Sequence, residues 1–384
     1  MFAERTAWNL TANRLSEALA RFRESGEKLL DLTASNPTEC GFQYDGASIL
    51  KALITPIVLK YHPDPRGLRT ARKAVNEYYA RRGETLALDD LFLTTSTSEA
   101  YSFAFRLLCN PGDQVLVPTP SYPLFDFLAS IQDVKLVRYP LIYDHGWQID
   151  FHALEQALTP RTRAVIVVHP NNPTGHFAKA TEIKKLNELC AAHNLALIAD
   201  EVFLDFSFAG NSSHSFLQNR DALTFTTSGV SKISGLPQMK LAWLAVSGPK
   251  AEKKEALGRL EVIADTFLSM NAPVQAAAAT LLAQRHGFQQ QLMARAKENL
   301  AELDRQLVEQ TSCARLEVEG GWYAVLRVPA VRTDEELALD LLEDGVYVHP
   351  GHFYDFPGEG FIVVSLIAQE RDFGEGLEKL FAFF

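Results

Sequence analysis

The stretch AVIVVHPNNPTGHFAKATEIKKLNELCAAHNLALIADEVF, residues 164–203, decides the fold. It opens on a continuous apolar run, AVIVV, and passes through a turn rich in Asn, Pro and Gly. It continues as TEIKKLNELCAAH, with apolar residues at helical spacing, and closes on a second apolar run, ALIAD. Short apolar runs without polar alternation read as strands buried on both faces, and a helix between two of them reads as the crossover of a parallel pair. The same alternation extends in both directions. LFLT, SEAYSFAFRLLC, QVLVP, YPLFDFLASI, KLVRYP and FHALEQAL precede it, and LTFTTS follows it. The sequence therefore predicts an α/β protein with a large, mostly parallel sheet covered by helices on both faces.

After Asn271 the text changes. APVQAAAATLLAQ and QQLMARAKENLAELDRQL read as helices, ARLEVEG, GWYAVLRV and GFIVVSL as strands, and DEELALDLLEDG and FGEGLEKLFAFF as helices again. This pattern predicts a smaller α+β lobe. The expected division is a large domain over residues 46–270 and a small one from residues 1–45 with 271–384. A helix near Asn9 to Ser25 is expected to pack on the small lobe.

Composition narrows the function. At 384 residues, 47% hydrophobic and 22% charged, the chain has enough apolar text for a large core and no long disordered tail. A formal net charge of -10 excludes a broad nucleic-acid footprint. Cys40, Cys109, Cys190 and Cys313 stand far apart without a C-x-x-C pair, so neither a metal site nor a disulfide framework is expected, and a reducing cytoplasm fits. MFAERTAWNLTANRLSEAL lacks the apolar centre of a signal peptide, and no run is long enough to span a bilayer.

In open parallel sheets, ligands sit outside the carboxyl ends of the strands. Three motifs occupy such places: HPNNPTG after AVIVV, DEVF at the close of ALIAD, and SGVSKISGLPQMK after LTFTT. Their chemistry is complementary. A lysine forms a Schiff base with an aldehyde cofactor, a carboxylate keeps a pyridine nitrogen protonated, and an amide hydrogen-bonds a phenolic oxygen. That set describes pyridoxal 5'-phosphate.

With these motifs the chain resembles the fold-type-I, pyridoxal-phosphate-dependent class I/II aminotransferases from Asp31 to its C-terminus. The resemblance implies transfer of an amino group between an amino acid and a 2-oxo acid. It implies Lys232 as the Schiff-base lysine and proton shuttle, Asp200 as the partner of the pyridine nitrogen, and Asn172 on the ring hydroxyl. Ser96, Thr97 and Ser98, ahead of a helix beginning near Glu99, match the phosphate-binding turn, and Tyr122 matches the aromatic that stacks on the ring. Tyr61 matches a tyrosine that reaches the phosphate of a neighbouring subunit, which implies a homodimer with shared active sites. Plain structural readings stand beside these: Asp200 and Ser96 as helix caps, Tyr122 as a core aromatic, Tyr61 as a loop residue. The same cofactor also serves lyases, racemases and decarboxylases acting on an amino acid or amine, because the pocket decides which bond is aligned. A cofactor-binding sensor fits poorly, since no segment is spare for a helix-turn-helix.

Four departures matter. Lys240 stands where the family has a phosphate-binding arginine, and offers a point charge without the bidentate fork. Gly229 replaces a serine, for which Ser228 is the nearest substitute. Phe203 replaces a tyrosine and has no hydroxyl to give. Val363 stands where an arginine clamps the substrate α-carboxylate, and a buried carboxylate without a donor is costly. Arg66, Arg327 and His352 are the candidates to replace it, and Asn36 in SNPT is a candidate substrate contact. His169 reads as a strand-end residue and the EKKE run, residues 252–255, as a solvated helix face.

Overall fold

A computed structural model describes residues 1–210, 214–268 and 270–384. The N-terminal part contains α1 (Arg14–Ser25), β1 (Leu30–Asp31), α2 (Gly46–Leu53), α3 (Arg69–Arg81), β2 (Leu91–Thr94) and α4 (Thr97–Leu108). The central part contains β3 (Gln114–Thr119), α5 (Phe125–Ser130), β4 (Lys135–Tyr143), β5 (Trp147–Ile149), α6 (Phe151–Gln156), β6 (Thr162–Val168), α7 (Ala180–His193) and β7 (Ala196–Asp200). There follow β8 (Thr224–Gly229), α8 (Val230–Ile233), β9 (Ala242–Ser247), α9 (Lys250–Phe267), α10 (Ala272–Ala283) and α11 (Arg285–Leu307). The chain ends with β10 (Ala314–Arg315), β11 (Tyr323–Arg327), α12 (Asp334–Glu343), β12 (Val346–Tyr347), β13 (His349–Pro350), β14 (Phe361–Ser365) and α13 (Glu370–Ala382).

Eight strands form one sheet in the order β2-β9-β8-β7-β6-β3-β4-β5. β8, β7, β6, β3 and β4 run parallel, while β9 is antiparallel to both β2 and β8. The apolar runs are continuous because both faces of the sheet are buried. Along β6 and β7, Val165, Val167, Leu197 and Ala199 enter one core, while Ala164, Ile166, Ala196 and Ile198 enter the core shared with α4 and α9. Each buried Val, Leu or Ile among them contributes about 1.5–3 kcal/mol over its exposed state.

The second lobe is built on the antiparallel sheet β10-β11-β14-β13. The N-terminal segment joins it: β1 pairs in parallel with β12, and α1 lies against α12. This lobe therefore has the expected origin in both ends of the chain. α10 does not follow the expected division, because it packs against α2 and α3 in a core with Val75, Leu93 and Trp243. The Ala-rich text reads as a helix but says nothing of its partners. We propose that the boundary falls between α10 and α11 rather than at residue 271.

β8 and β9 approach closely at Gly229. A Cβ there would lie 2.9 Å from the Ala242 Cβ and 2.9 Å from the Leu241 carbonyl oxygen. The glycine that replaces the family's serine is thus required by this strand pair. Gly229→Ser should destabilise the protein by about 1–3 kcal/mol, the ordinary cost of overpacking. Thermal unfolding checks this, and an unchanged midpoint would mean that the strands separate freely.

Candidate active site

The carboxyl ends of β6, β7 and β8 lie side by side, with Val168 opposite Asp200 and Asp200 opposite Thr227. Asp200 is the last residue of β7, and the alternation along the strand turns it to the face covered by α4. Ser96 caps α4 by accepting from the Glu99 backbone N–H at 3.2 Å, which fixes the helix start at Thr97. One turn later Tyr101 is buried and donates its hydroxyl to Asp200 Oδ2 at 2.9 Å, while the Val202 backbone N–H donates to Oδ1 at 3.1 Å. Burial dominates all the same and pushes the Asp200 pKa up to about 6, against these two donors and Lys232.

Lys232 lies on α8, immediately after β8. Burial pushes its pKa down to about 8, opposed by the charge of Asp200. Its Nζ sits 4.6 Å from the centroid of the Trp322 ring and 5.4 Å from that of Phe203. Two aromatic faces thus lie beside the amine. Trp322 and Phe203 also pack edge to face, with centroids 5.2 Å apart. Phe203, without a hydroxyl, thus packs its ring against the second lobe.

Asn172 is buried, and its Oδ1 has no hydrogen-bond partner among the described residues. Its turn is held by Asn171, whose Oδ1 accepts from the Thr174 hydroxyl at 2.9 Å. The turn ends at Gly175, whose φ of 72° and close approach to Gly320, with 2.5 Å from a would-be Cβ to its carbonyl oxygen, admit only glycine. His169 is a satisfied strand-end imidazole, accepting from the Ala178 backbone N–H at 3.1 Å.

The phosphate candidates divide. Thr97 and Ser98 lie at the start of α4 and are partly exposed. Lys240 is exposed, two residues before Ala242, which pairs with Thr94, so the register carries it toward Ser96. Ser228 is fully enclosed and donates its hydroxyl to the Glu201 carbonyl at 3.1 Å, which spends it within the sheet. Tyr122 lies in the loop before α5, packed edge to face on Phe125, itself against Tyr101. Tyr61 is exposed.

The substrate candidates have other surroundings. Glu261 holds the Arg66 guanidinium at 2.8 Å, together with the Asp89 carbonyl. Asn36 spends its Oδ1 within its own turn, accepting from the Thr38 hydroxyl at 2.7 Å. His352 is exposed and stacks edge to face on Phe353. Arg327, the fourth candidate, is exposed at the end of β11. Val363 is 1% exposed, within the sheet of the second lobe. Tyr101 and Trp322 were missed. Tyr101 carries one signal, its helical spacing from the capping serine, whereas nothing local marks Trp322. Among the described residues no group of three or more His, Cys, Asp or Glu side chains is placed to hold a metal, and no helix is long and apolar enough to cross a membrane.

These residues fit pyridoxal phosphate. The orphaned Asn172 amide oxygen, a buried carboxylate lacking a close cation, and a lysine ringed by aromatic carbon are each incomplete alone and complementary to its hydroxyl, ring nitrogen and aldehyde. Residues 48–372 match the family described as aminotransferase class I and II. The chain is 31% identical over 281 residues to the glutamate-pyruvate aminotransferase AlaA of Escherichia coli strain K12, covering 73% of this chain and 69% of that one. It is 28% identical over 375 residues to the alanine aminotransferase of Mycobacterium bovis, covering 94% and 86%. The crystal structure of an aminotransferase from Escherichia coli superposes with a TM-score of 0.88 at 27% identity, covering 100% of this chain and 98% of that one.

The Asp200 shift has a stability consequence. The folded-state acid is weaker than the unfolded one, so the wild type loses stability as pH rises from 3.8 to about 6. In cofactor-free protein, Asp200→Asn should therefore be the more stable form above that window, by up to about 3 kcal/mol for roughly two pKa units. The gain should vanish below about pH 4. Thermal unfolding of both forms across pH measures it, and a gain independent of pH would place the cause elsewhere.

Proposed function

This chain belongs to the class I and II aminotransferase family, an enzyme that moves an amino group between an amino acid and a 2-oxo acid, and we propose that Lys232 carries pyridoxal phosphate for that transfer. The observation that carries the assignment is the lysine amine, lowered to about 8 and enclosed by Trp322 and Phe203, beside a buried aspartate at the next strand end. Asp200 would hold the pyridine nitrogen, Asn172 the ring hydroxyl, and the turn Ser96, Thr97 and Ser98 with Lys240 the phosphate. Tyr122 would lie against the ring. Ser228 serves by holding the Glu201 backbone next to Asp200.

Bound there, the cofactor supplies a carbonyl that accepts and returns the amino group, and a cationic ring that takes up electrons from the substrate α-carbon. The chain's own residues do the rest. Lys232 takes the proton from the substrate α-carbon as a neutral amine and delivers it again as an ammonium. A pKa of about 8 makes both forms accessible near neutral pH. Trp322 and Phe203 limit water around that amine. Asp200 stays anionic once a cation neutralises the penalty that burial imposes on it. Tyr101 and the Val202 N–H fix which way its oxygens face.

We assign the active form to a cytoplasmic homodimer in which Tyr61 reaches the partner's phosphate. Supporting this, Leu50, Ile54, Leu59 and Tyr61 are all exposed apolar or aromatic side chains close together in sequence. The four cysteines are unpaired.

The test supplies the purified protein with pyridoxal phosphate, 15N-labelled amino acids and 2-oxo acids. Label should appear in the new amino acid, and Lys232→Ala should lower the rate by about 100- to 10,000-fold, the range of general acid–base contributions. A variant retaining wild-type rate would remove Lys232 from the mechanism, and release of labelled ammonia instead of transfer would favour a lyase.

A further inference from the structure

Val363 leaves the α-carboxylate of an amino acid without the expected guanidinium; Arg66 is held by Glu261, His352 is exposed against Phe353, and Arg327, although on the same face of the sheet as Val363, is exposed at the end of β11 opposite Tyr323, with its guanidinium over the Phe361 ring. The surroundings of Val363 offer a different donor set. In register, Val363 pairs with Val325 on one side and His349 on the other, and Tyr323 pairs with Ser365, so these side chains share one face of the sheet. That face looks toward the lysine, since the Tyr323 ring lies 6.4 Å from Phe203, the ring beside the Lys232 amine.

Tyr354 joins the same wall. Its ring centroid is 6.4 Å from that of Tyr323, and its hydroxyl is 3.0 Å from His349 Nδ1. Its backbone carbonyl accepts from the Ser121 N–H at 2.9 Å, which ties it to the loop of Tyr122. The Ser35 hydroxyl faces the phenol of Tyr323. All these groups are neutral: burial raises both phenols and lowers His349 to about 4. In the tautomer protonated at Nδ1, the imidazole donates to the Tyr354 oxygen and frees the phenol hydrogen for a ligand.

Resting on the aminotransferase reading above, we propose that Tyr354, oriented by His349 and assisted by Tyr323 and Ser35, receives the substrate carboxylate through neutral hydrogen bonds in place of an arginine. Neutral donors hold a carboxylate less tightly than a bidentate guanidinium. The enzyme therefore discriminates less steeply between an amino acid and its carboxylate-free analogue than a relative with the arginine does.

The experiment measures kcat/KM of the holoenzyme for L-alanine and for ethylamine, in wild type, Tyr354→Phe and His349→Gln. Loss of one hydrogen bond to a charged group should lower the alanine-to-ethylamine ratio by about 10- to 100-fold in Tyr354→Phe. His349→Gln, which positions rather than touches the ligand, should lower it less. Binding of propionate, followed by calorimetry on both variants, should weaken in parallel. An equal fall for both amines, or an unchanged ratio and propionate affinity, overturns the proposal while leaving Lys232 in place. Failure of the reading beneath it looks different, since the wild type would then transfer nitrogen from neither compound.

Discussion

The structure turns on a half-buried lysine on α8 and a buried carboxylate at the end of the adjacent strand β7, each desolvated and not in direct contact with the other. Each charge pays a desolvation penalty, and their attraction does not remove it: Asp200 is driven up to about 6 and Lys232 down to about 8. Between those values both groups are ionised at a cost to the fold. That cost is tolerated where a bound cation and a reactive carbonyl would relieve it, and a lysine poised to lose its proton near neutrality suits the proposed shuttle.

Both lobes build the enclosure that creates this penalty. β7 and β8 set the spacing from within the sheet, α4 adds the Tyr101 hydroxyl, and Trp322 enters from the segment leading into β11. The same segment touches the Asn172 turn where Gly320 meets Gly175. The seam between lobes is therefore also the wall of the site. A shift of the second lobe would alter the solvent exposure of the Lys232 amine along with the position of Tyr323 and Tyr354.

Much of this was legible in the sequence for local reasons. Continuous apolar runs reported strands buried twice over, and the motifs after them reported the strand ends, because topology puts those ends together whatever the loops do. Lys232, Asp200 and Asn172 lie in those motifs, and their roles are what the family resemblance implies. What was not legible depends on partners far apart in the chain. Trp322 meets Lys232 across the lobe seam, Tyr101 meets Asp200 through the angle of α4 on the sheet, and His349 meets Val363 only through a strand register. Arg66 misled for the same reason, since its proximity in sequence to Tyr61 is silent about Glu261 on α9. The α10 sequence carries its helix, yet its docking on α2 and α3 is a tertiary fact.

The most direct test is the titration of the Lys232 amine itself. Competitive acetylation of cofactor-free protein, with peptide-resolved mass spectrometry between pH 6 and pH 11 as the span that brackets about 8 and the ordinary lysine value, reports its ionisation. A reactivity midpoint near 8, returning upward when Trp322 is replaced by alanine and water enters, is the predicted result. A midpoint at the ordinary 10.5 would show an amine in free contact with water and contradict the account.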